Sequence, residues 1–355
     1  MTRQGRVTIR EVAQAAGVSM QTVSRVLNDR PDVAPDTYDR IQRIIADTGY
    51  SPNLLARGLT QGRSHVLGVV AFGLDYFGPA SVLTGIDQRA AETGYAISLN
   101  LAHRPETDDV FGILNSLFAR QVDGVIWAIP QVGSNLDWSH QRAPHLPVPV
   151  VLVGGMAGQT SLPSIGIDNR AIGRLATEHL LAGGARRVGL ITGPPTWWEA
   201  RERVAGWQET IASGVRSDAA GPVFEGDWTA ASGEQGLRQM LAADPALDAV
   251  FACNDQMALG VLHAAHVLGL RVPEDLSVVG VDNQAMGSHF WPPLTTVHQP
   301  LRDAGVLAVD GVEDAIERLS VRRSPSEEPE PRTTLLEPEL IVRESSRPAA
   351  ATTTG

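Results

Sequence analysis

Seven residues between Ser19 and Asn28 carry the most telling chemistry in the chain: Ser19, Met20, Gln21, Thr22, Ser24, Arg25 and Asn28. A helix over Met20 to Asn28 turns Val23, Val26 and Leu27 inward and presents those seven outward. Gln and Arg have the paired hydrogen-bonding groups that match adenine and guanine edges. Ser, Thr and Asn suit phosphate oxygens. The plainer reading is a solvated face on a small helical protein-interaction domain. The spacing of Ala13, Gly17, Val18 and Val23 argues for nucleic acid instead.

Other chemistries are excluded by residue type. The sequence contains no lysine, so all 29 basic residues are arginine. That removes a Walker-type phosphate lysine, a Schiff-base lysine and a kinase lysine. A single cysteine, Cys253, excludes an internal disulfide framework and any multi-thiolate metal site. With no histidine beside it to act as base, it reads as a small buried thiol. The chain holds no G-x-S-x-G elbow, no H-E-x-x-H and no dinucleotide fingerprint. The expectation is a protein that is not an enzyme and needs no metal or cofactor.

The elements that must position the outward face are short. Thr8 caps a first helix with Glu11 three residues on, and Ile9, Val12, Ala13 and Ala16 share its inner face. Gly17 turns the chain, Ser19 caps the second helix, and a third runs from Pro35 to Asp47 with Gly49 beyond it. This is a helix-turn-helix core. Residues 1–63 hold nine arginines against six acids, a net of +3, whereas the whole chain is at −11. A mildly basic head on an acidic body points to a head that alone approaches a polyanion.

The whole chain, 355 residues with 43% hydrophobic content, is long enough for two or three domains with filled cores. Strands are expected at 65–72, 95–101, 124–129, 148–154, 188–192, 249–252 and 276–281. Helices are expected at 81–93, 171–181, 199–213, 232–243 and 256–268. The alternation specifies parallel sheets flanked by helices, and about 280 residues divide best into two doubly wound lobes. Ligands of such folds sit outside the carboxyl ends of the strands, between lobes. No apolar run reaches the ~18 residues that span a bilayer, and the charged N-terminus lacks a signal-peptide core. A cytoplasmic protein with no membrane partner is expected.

VTIREVAQAAGVSMQTVSRVLND, TGYSPNLLARGL, EGDWTAASG, CNDQMALGVL, RVPEDLSVVGVDN and PPLTTVHQPL together resemble the lactose/galactose repressor (LacI/GalR) family, nearest its lactose-repressor branch through GPP, EARERVAGW and GDW. The likeness runs to about Arg343. It implies a small all-α helix-turn-helix head (1–51), a hinge helix (52–62) and a periplasmic-binding-protein-like α/β body (63–343). The N-lobe would be about 63–165 and 298–323, the C-lobe about 166–297 and 324–343, with a disordered tail over 344–355. It also implies a repressor of sugar-utilisation genes that binds a pseudo-palindromic double-stranded DNA operator as a homodimer, under allosteric control by a small sugar effector such as a galactoside. No apolar heptad tail follows Arg343, so nothing beyond a dimer is expected. The alternative is a cytoplasmic sugar-binding or sugar-metabolising protein with a helical interaction module.

The resemblance assigns roles residue by residue. Met20, Gln21 and Arg25 would read bases; Thr8, Ser19, Thr22, Ser24 and Asn28 would hold phosphates. Asn53, Ala56 and Leu59 would belong to the hinge helix, with Leu59 wedged into the minor groove. The effector set is Tyr76, Pro79, Trp197, Arg201, Trp228, Asn254, Gln256, Asp282 and Gln299. The fork of Arg201 would bind two hydroxyls. Asp282 closes an apolar strand and can accept from two more. Trp228 would offer its face to the C–H side of a pyranose. At most one of Trp197 and Trp198 is expected to face the cleft, and Asp255 is read as a helix cap. Ala128, Gly154 and Leu301 stand where the family's lactose-binding branch has polar or aromatic groups.

Overall fold

The computed structural model describes residues 7–27, 30–50, 63–104, 107–129, 132, 138, 146–154, 161–213, 217–321 and 332–348. Asn28, Asn53, Ala56 and Leu59 lie outside them. The chain forms two units, Met1–His65 and Val66–Gly355.

In the first unit the Thr8 side chain and backbone bond Glu11 in a reciprocal capping box, and α1 (Ile9–Ala16) follows. Gly17, at φ 63°, takes the left-handed turn that a side chain would strain. The Ser19 hydroxyl then accepts from the Thr22 backbone N–H at 3.1 Å, opening α2 (Met20–Leu27). Pro35 starts α3 (Pro35–Thr48) and Gly49 ends it. Val12, Ala13, Ala16, Val23, Val26 and Ile41 form the common core. Removing such side chains from water stabilises by roughly 1.5–3 kcal/mol for each Val or Ile.

The second unit holds two six-stranded sheets. The N-lobe sheet runs in the order β11-β5-β4-β3-β1-β2, with all pairs parallel: β1 (Val66–Phe72), β2 (Ala96–Ala102), β3 (Gly124–Ala128), β4 (Val150–Val153), β5 (Ser164–Ile167) and β11 (Thr333–Leu336). The C-lobe sheet repeats the pattern as β12-β10-β9-β8-β6-β7, from β6 (Val188–Thr192), β7 (Ala220–Glu225), β8 (Ala249–Ala252), β9 (Ser277–Val281), β10 (Thr295–His298) and an antiparallel edge, β12 (Glu339–Ile341). Both have the doubly wound order 2-1-3-4-5. β3, β4, β6, β8 and β9 are almost wholly buried, so their sequences read as continuous apolar runs. The helices are α4 (Phe77–Glu92), α5 (Val110–Ala119), α6 (Asn169–Ala182), α7 (Trp198–Ser213), α8 (Ala230–Ala243), α9 (Asp255–Val267) and α10 (Leu301–Val321). Among the described residues no helix is long and apolar enough to cross a membrane.

The expected lobe boundaries need correction. β5 and β11 pair with each other inside the N-lobe sheet, so the chain enters the C-lobe after Ile167 and returns to it only after Leu336. Residues 344–348, expected to belong to a disordered tail, are ordered. Ser345 and Ser346 are buried, and their hydroxyls bond Val278, Thr295 and the ring of His179. These hydrogen bonds tie the segment to the C-lobe.

One close approach positions the site. α6 and α7 cross backbone to backbone. A Cβ on Gly173 would lie 2.2 Å from the Arg203 carbonyl, and one on Gly206 2.1 Å from that of Arg170. Only glycine permits this contact, which fixes the side of α7 that faces the sheets.

Candidate effector cleft and nucleic-acid face

Carboxyl ends of strands from both sheets converge on one cleft of about 1010 Å³, open solvent included. Tyr76, Phe77 and Pro79 follow β1; Ala128 ends β3; Gly154 follows β4; Asn169 follows β5. Trp197, Trp198 and Glu199 follow β6; Trp228 follows β7; Asn254 and Gln256 follow β8; Asp282 follows β9 and Gln299 follows β10. This is the carboxyl-end placement expected of open α/β sheets.

Arg203 lies at the centre. Its Nε donates to Asn169 Oδ1 at 2.9 Å, Nη2 donates to Gln299 Oε1 at 3.1 Å, and Nη1 donates to the Cys253 carbonyl. Gln299 Nε2 donates to Asp282 Oδ1 at 2.6 Å. Asn169, Arg203, Asp282 and Gln299 are all buried, so a continuous polar chain crosses the floor of the cleft. Asp282 sits at φ 113°, a costly conformation for a non-glycine residue, which aims its carboxylate off the end of β9. The Arg203 guanidinium also stands 5.8 Å from the Trp228 ring centroid.

The walls are aromatic. Trp197 contacts Phe72, Tyr76 and Trp228, each at 5.8 Å between centroids. Phe72 and Tyr76 belong to the N-lobe and the two tryptophans to the C-lobe, so the stack joins the lobes. Trp228 is buried against Gly193, where a Cβ would meet the indole at 2.0 Å.

Eight of the nine expected effector residues line this cleft: Tyr76, Pro79, Trp197, Trp228, Asn254, Gln256, Asp282 and Gln299. Arg201 does not. It is exposed and donates from Nη1 to the carbonyls of Pro195 and Thr196. The inward stripe of α7 is Ala200, Arg203, Trp207 and Ile211, and the arginine that enters the cleft is therefore Arg203, two residues on. Trp197 and Trp198 both line the cleft, not one of them. Asn254, not Asp255, caps α9, accepting from the Met257 N–H at 2.7 Å while donating to the Trp228 carbonyl. Asp255 is buried and accepts from Thr296 Oγ1 and the Gln284 N–H. Glu199 and Asn169 are cleft residues that the sequence reading missed.

Burial, and then the neighbouring Asp282 charge, push the Asp255 carboxyl well above the usual aspartate range; burial raises Asp282 as well. A raised folded-state pKa means that folding binds protons, so these carboxyls favour the fold at low pH. Their contribution is complete below about pH 4 and is lost as pH rises toward neutrality. Asp255→Asn is expected to flatten the fall of stability between about pH 4 and 7, by up to about 1.4 kcal/mol per pH unit for one proton. Urea titrations of both proteins at each pH read this slope. Parallel curves would assign the pH dependence elsewhere.

In the first unit, Ser19, Met20, Gln21 and Arg25 are exposed on α2, with Thr22 and Ser24 partly so, opposite the buried Val23 and Val26. The Thr8 hydroxyl is engaged in the capping box. Arg25 lies 3.4 Å from Asp32, with both side chains about half exposed. Such a pair is worth little and leaves the guanidinium available.

A helix-turn-helix unit with a two-lobed cleft-bearing α/β unit defines a ligand-responsive transcription regulator. Residues 8–53 match the bacterial regulatory proteins of the lacI family, and residues 177–346 match a periplasmic binding protein-like domain. The chain is 34% identical to the lactose operon repressor of Escherichia coli over 304 residues, 86% of this chain and 83% of that protein. It is 34% identical to the HTH-type transcriptional regulator CelR of Thermobifida fusca over 97% of this chain and 100% of that one. The lac repressor dimer bound to operator and the anti-inducer ONPF superposes at a TM-score of 0.81, with 31% identity, 97% of this chain and 100% of that one covered. The chain belongs to the lacI family of DNA-binding transcriptional regulators.

Proposed function

We propose that the protein is a cytoplasmic, dimeric repressor whose operator affinity is set by a small neutral sugar bound between the lobes. One observation carries this reading: an aromatic stack joining both lobes stands over a buried Arg203–Gln299–Asp282 chain. A sugar ring has apolar C–H faces and hydroxyls that both donate and accept, and it matches those two surfaces. Closing on the ring would shift the lobes, and the shift regulates DNA binding only if the ligand prefers one lobe arrangement.

Two relatives narrow the choice of sugar. The GDW and EAR segments resemble the lactose-repressor branch, which favours a galactoside, and a CelR–cellobiose complex superposes at a TM-score of 0.67. A galactoside is the first candidate and cellobiose the second. The exposed face of α2 would enter the major groove, one head per half-site, as a two-fold dimer on two-fold DNA requires.

A thermal-shift screen of mono- and disaccharides, followed by gel shifts on DNA selected from a random pool, tests both halves. One sugar should stabilise the protein and change DNA affinity, and that affinity should fall steeply with salt. Salt-independent DNA binding, or turnover of a sugar, would overturn the proposal.

A further inference from the structure

We propose that Glu199 sets the effector specificity of the cleft: it accepts a ligand hydroxyl beside Gly154 and rejects ligands carrying negative charge there. The inference rests on the reading that a small molecule occupies the cleft, and it concerns a residue to which the EARERVAGW resemblance gave no role.

Glu199 stands in the first turn of α7, on the C-lobe side, yet its carboxylate reaches the N-lobe. A Cβ on Gly154 would stand 3.4 Å from Glu199 Oε1. Among the described residues, Gly154 after β4 and Ala128 at the end of β3 bring no side-chain hydrogen-bonding group to that wall. The carboxylate of Glu199 is the polar group supplied there.

Its Oε2 is closed off from solvent and has no hydrogen-bond partner. A buried acceptor left unmatched is costly, and a native fold keeps one where a ligand completes it. The same cleft holds two unmatched donors, the indole N–H groups of Trp198 and Trp228. An unpaired acceptor and unpaired donors lining one cleft select hydroxyls, which can serve both. A carboxylate or phosphate could serve the indoles but not Glu199.

The charges agree. Among the described residues the acidic side chains lining the cleft are Glu199 and Asp282, against one guanidinium, Arg203, which already donates to three partners. Burial pushes the Glu199 carboxyl up, against a hydrogen bond from its own backbone N–H and then the pull of Arg203 and Arg201, so an incoming donor relieves an unfavourable state and an incoming anion worsens it.

Calorimetric titration of the full-length protein tests this with lactose, cellobiose and the counterparts of each whose terminal CH2OH is oxidised to carboxylate. The wild type should bind a neutral disaccharide and bind its acid at least about tenfold more weakly. Glu199→Leu should lose about tenfold or more for the neutral sugar, while Glu199→Gln, which keeps an acceptor oxygen, should stay within about threefold. Tight binding of the acid by the wild type, or unchanged sugar affinity in Glu199→Leu, overturns the assignment and leaves the sugar reading standing. If none of the four probes binds, the sugar reading falls and this inference falls with it.

Discussion

Arg203→Ala should abolish the effector response while DNA affinity stays near that of the wild type. The guanidinium holds Asn169, Gln299 and the Cys253 carbonyl together at the floor of the cleft. Each hydrogen bond to a charged group is worth about 1.5–3 kcal/mol. Losing two such bonds to a ligand weakens binding by more than about 100-fold. Alanine also leaves three buried groups unmatched, so Arg203→Lys is the companion variant. It keeps the charge, loses the planar fork, and should fail for the same reason with less harm to the fold. Arg201→Ala is the contrast: its contacts are carbonyls of the exposed Pro195–Thr196 turn, and its response should match the wild type. Calorimetry and effector titrations in a gel shift read all three. A normal response in Arg203→Lys would remove the fork from the mechanism.

The confusion between the two arginines shows what the sequence could and could not convey. Resemblance brought attention to the EARERVAGW segment but not to the right register within it. Helical phase decides the register. Ala200, Trp207 and Ile211 are apolar at spacings that put them on one face, and Arg203 falls on that stripe whereas Arg201 does not. A buried arginine on an apolar stripe signals a function, since such a charge is kept only when it is partnered. The same phase argument would have found Glu199, one turn before Arg203.

Strands were legible in proportion to the apolar run they contain: Ser164–Ile167 and Thr295–His298 are almost wholly buried yet went unread, because Ser, Gly and Thr interrupt them. Central strands such as Val188–Thr192 and Ala249–Ala252 announce themselves as apolar runs. Two edge strands did not: Ala220–Glu225 contains Gly221 and Pro222 and has no buried residue, and Thr333–Leu336 has none either. Lobe membership was harder still. Ser164–Ile167 and Thr333–Leu336 are far apart in sequence, and only their pairing places both in the N-lobe. The Asp282–Gln299–Arg203–Asn169 chain joins two loops and two helices. No local pattern records such a meeting; it follows from two sheets pointing their carboxyl ends at one gap.

Arg25→Ala should weaken operator binding by about 1–3 kcal/mol per head if the guanidinium reads a guanine edge. Two heads on one dimer double the effect, to between about 30-fold and more than 10,000-fold. The loss would come from recognition and not from unfolding, because α2 buries Val23 and Val26 on its opposite side and Arg25 contributes nothing to that core. Salt dependence separates this role from a phosphate contact. A base-reading arginine leaves the slope of affinity against salt nearly unchanged and relaxes preference at one base pair, whereas a phosphate-binding one lowers the slope and affects all sequences alike. Asp32→Asn isolates the resting contact: the Arg25–Asp32 pair is solvent-exposed, so its removal should alter DNA affinity by less than about tenfold. Gel shifts at several salt concentrations, on the selected operator and on single-base variants of it, distinguish these outcomes. Equal losses on every sequence with a shallower slope would move Arg25 from the bases to the backbone.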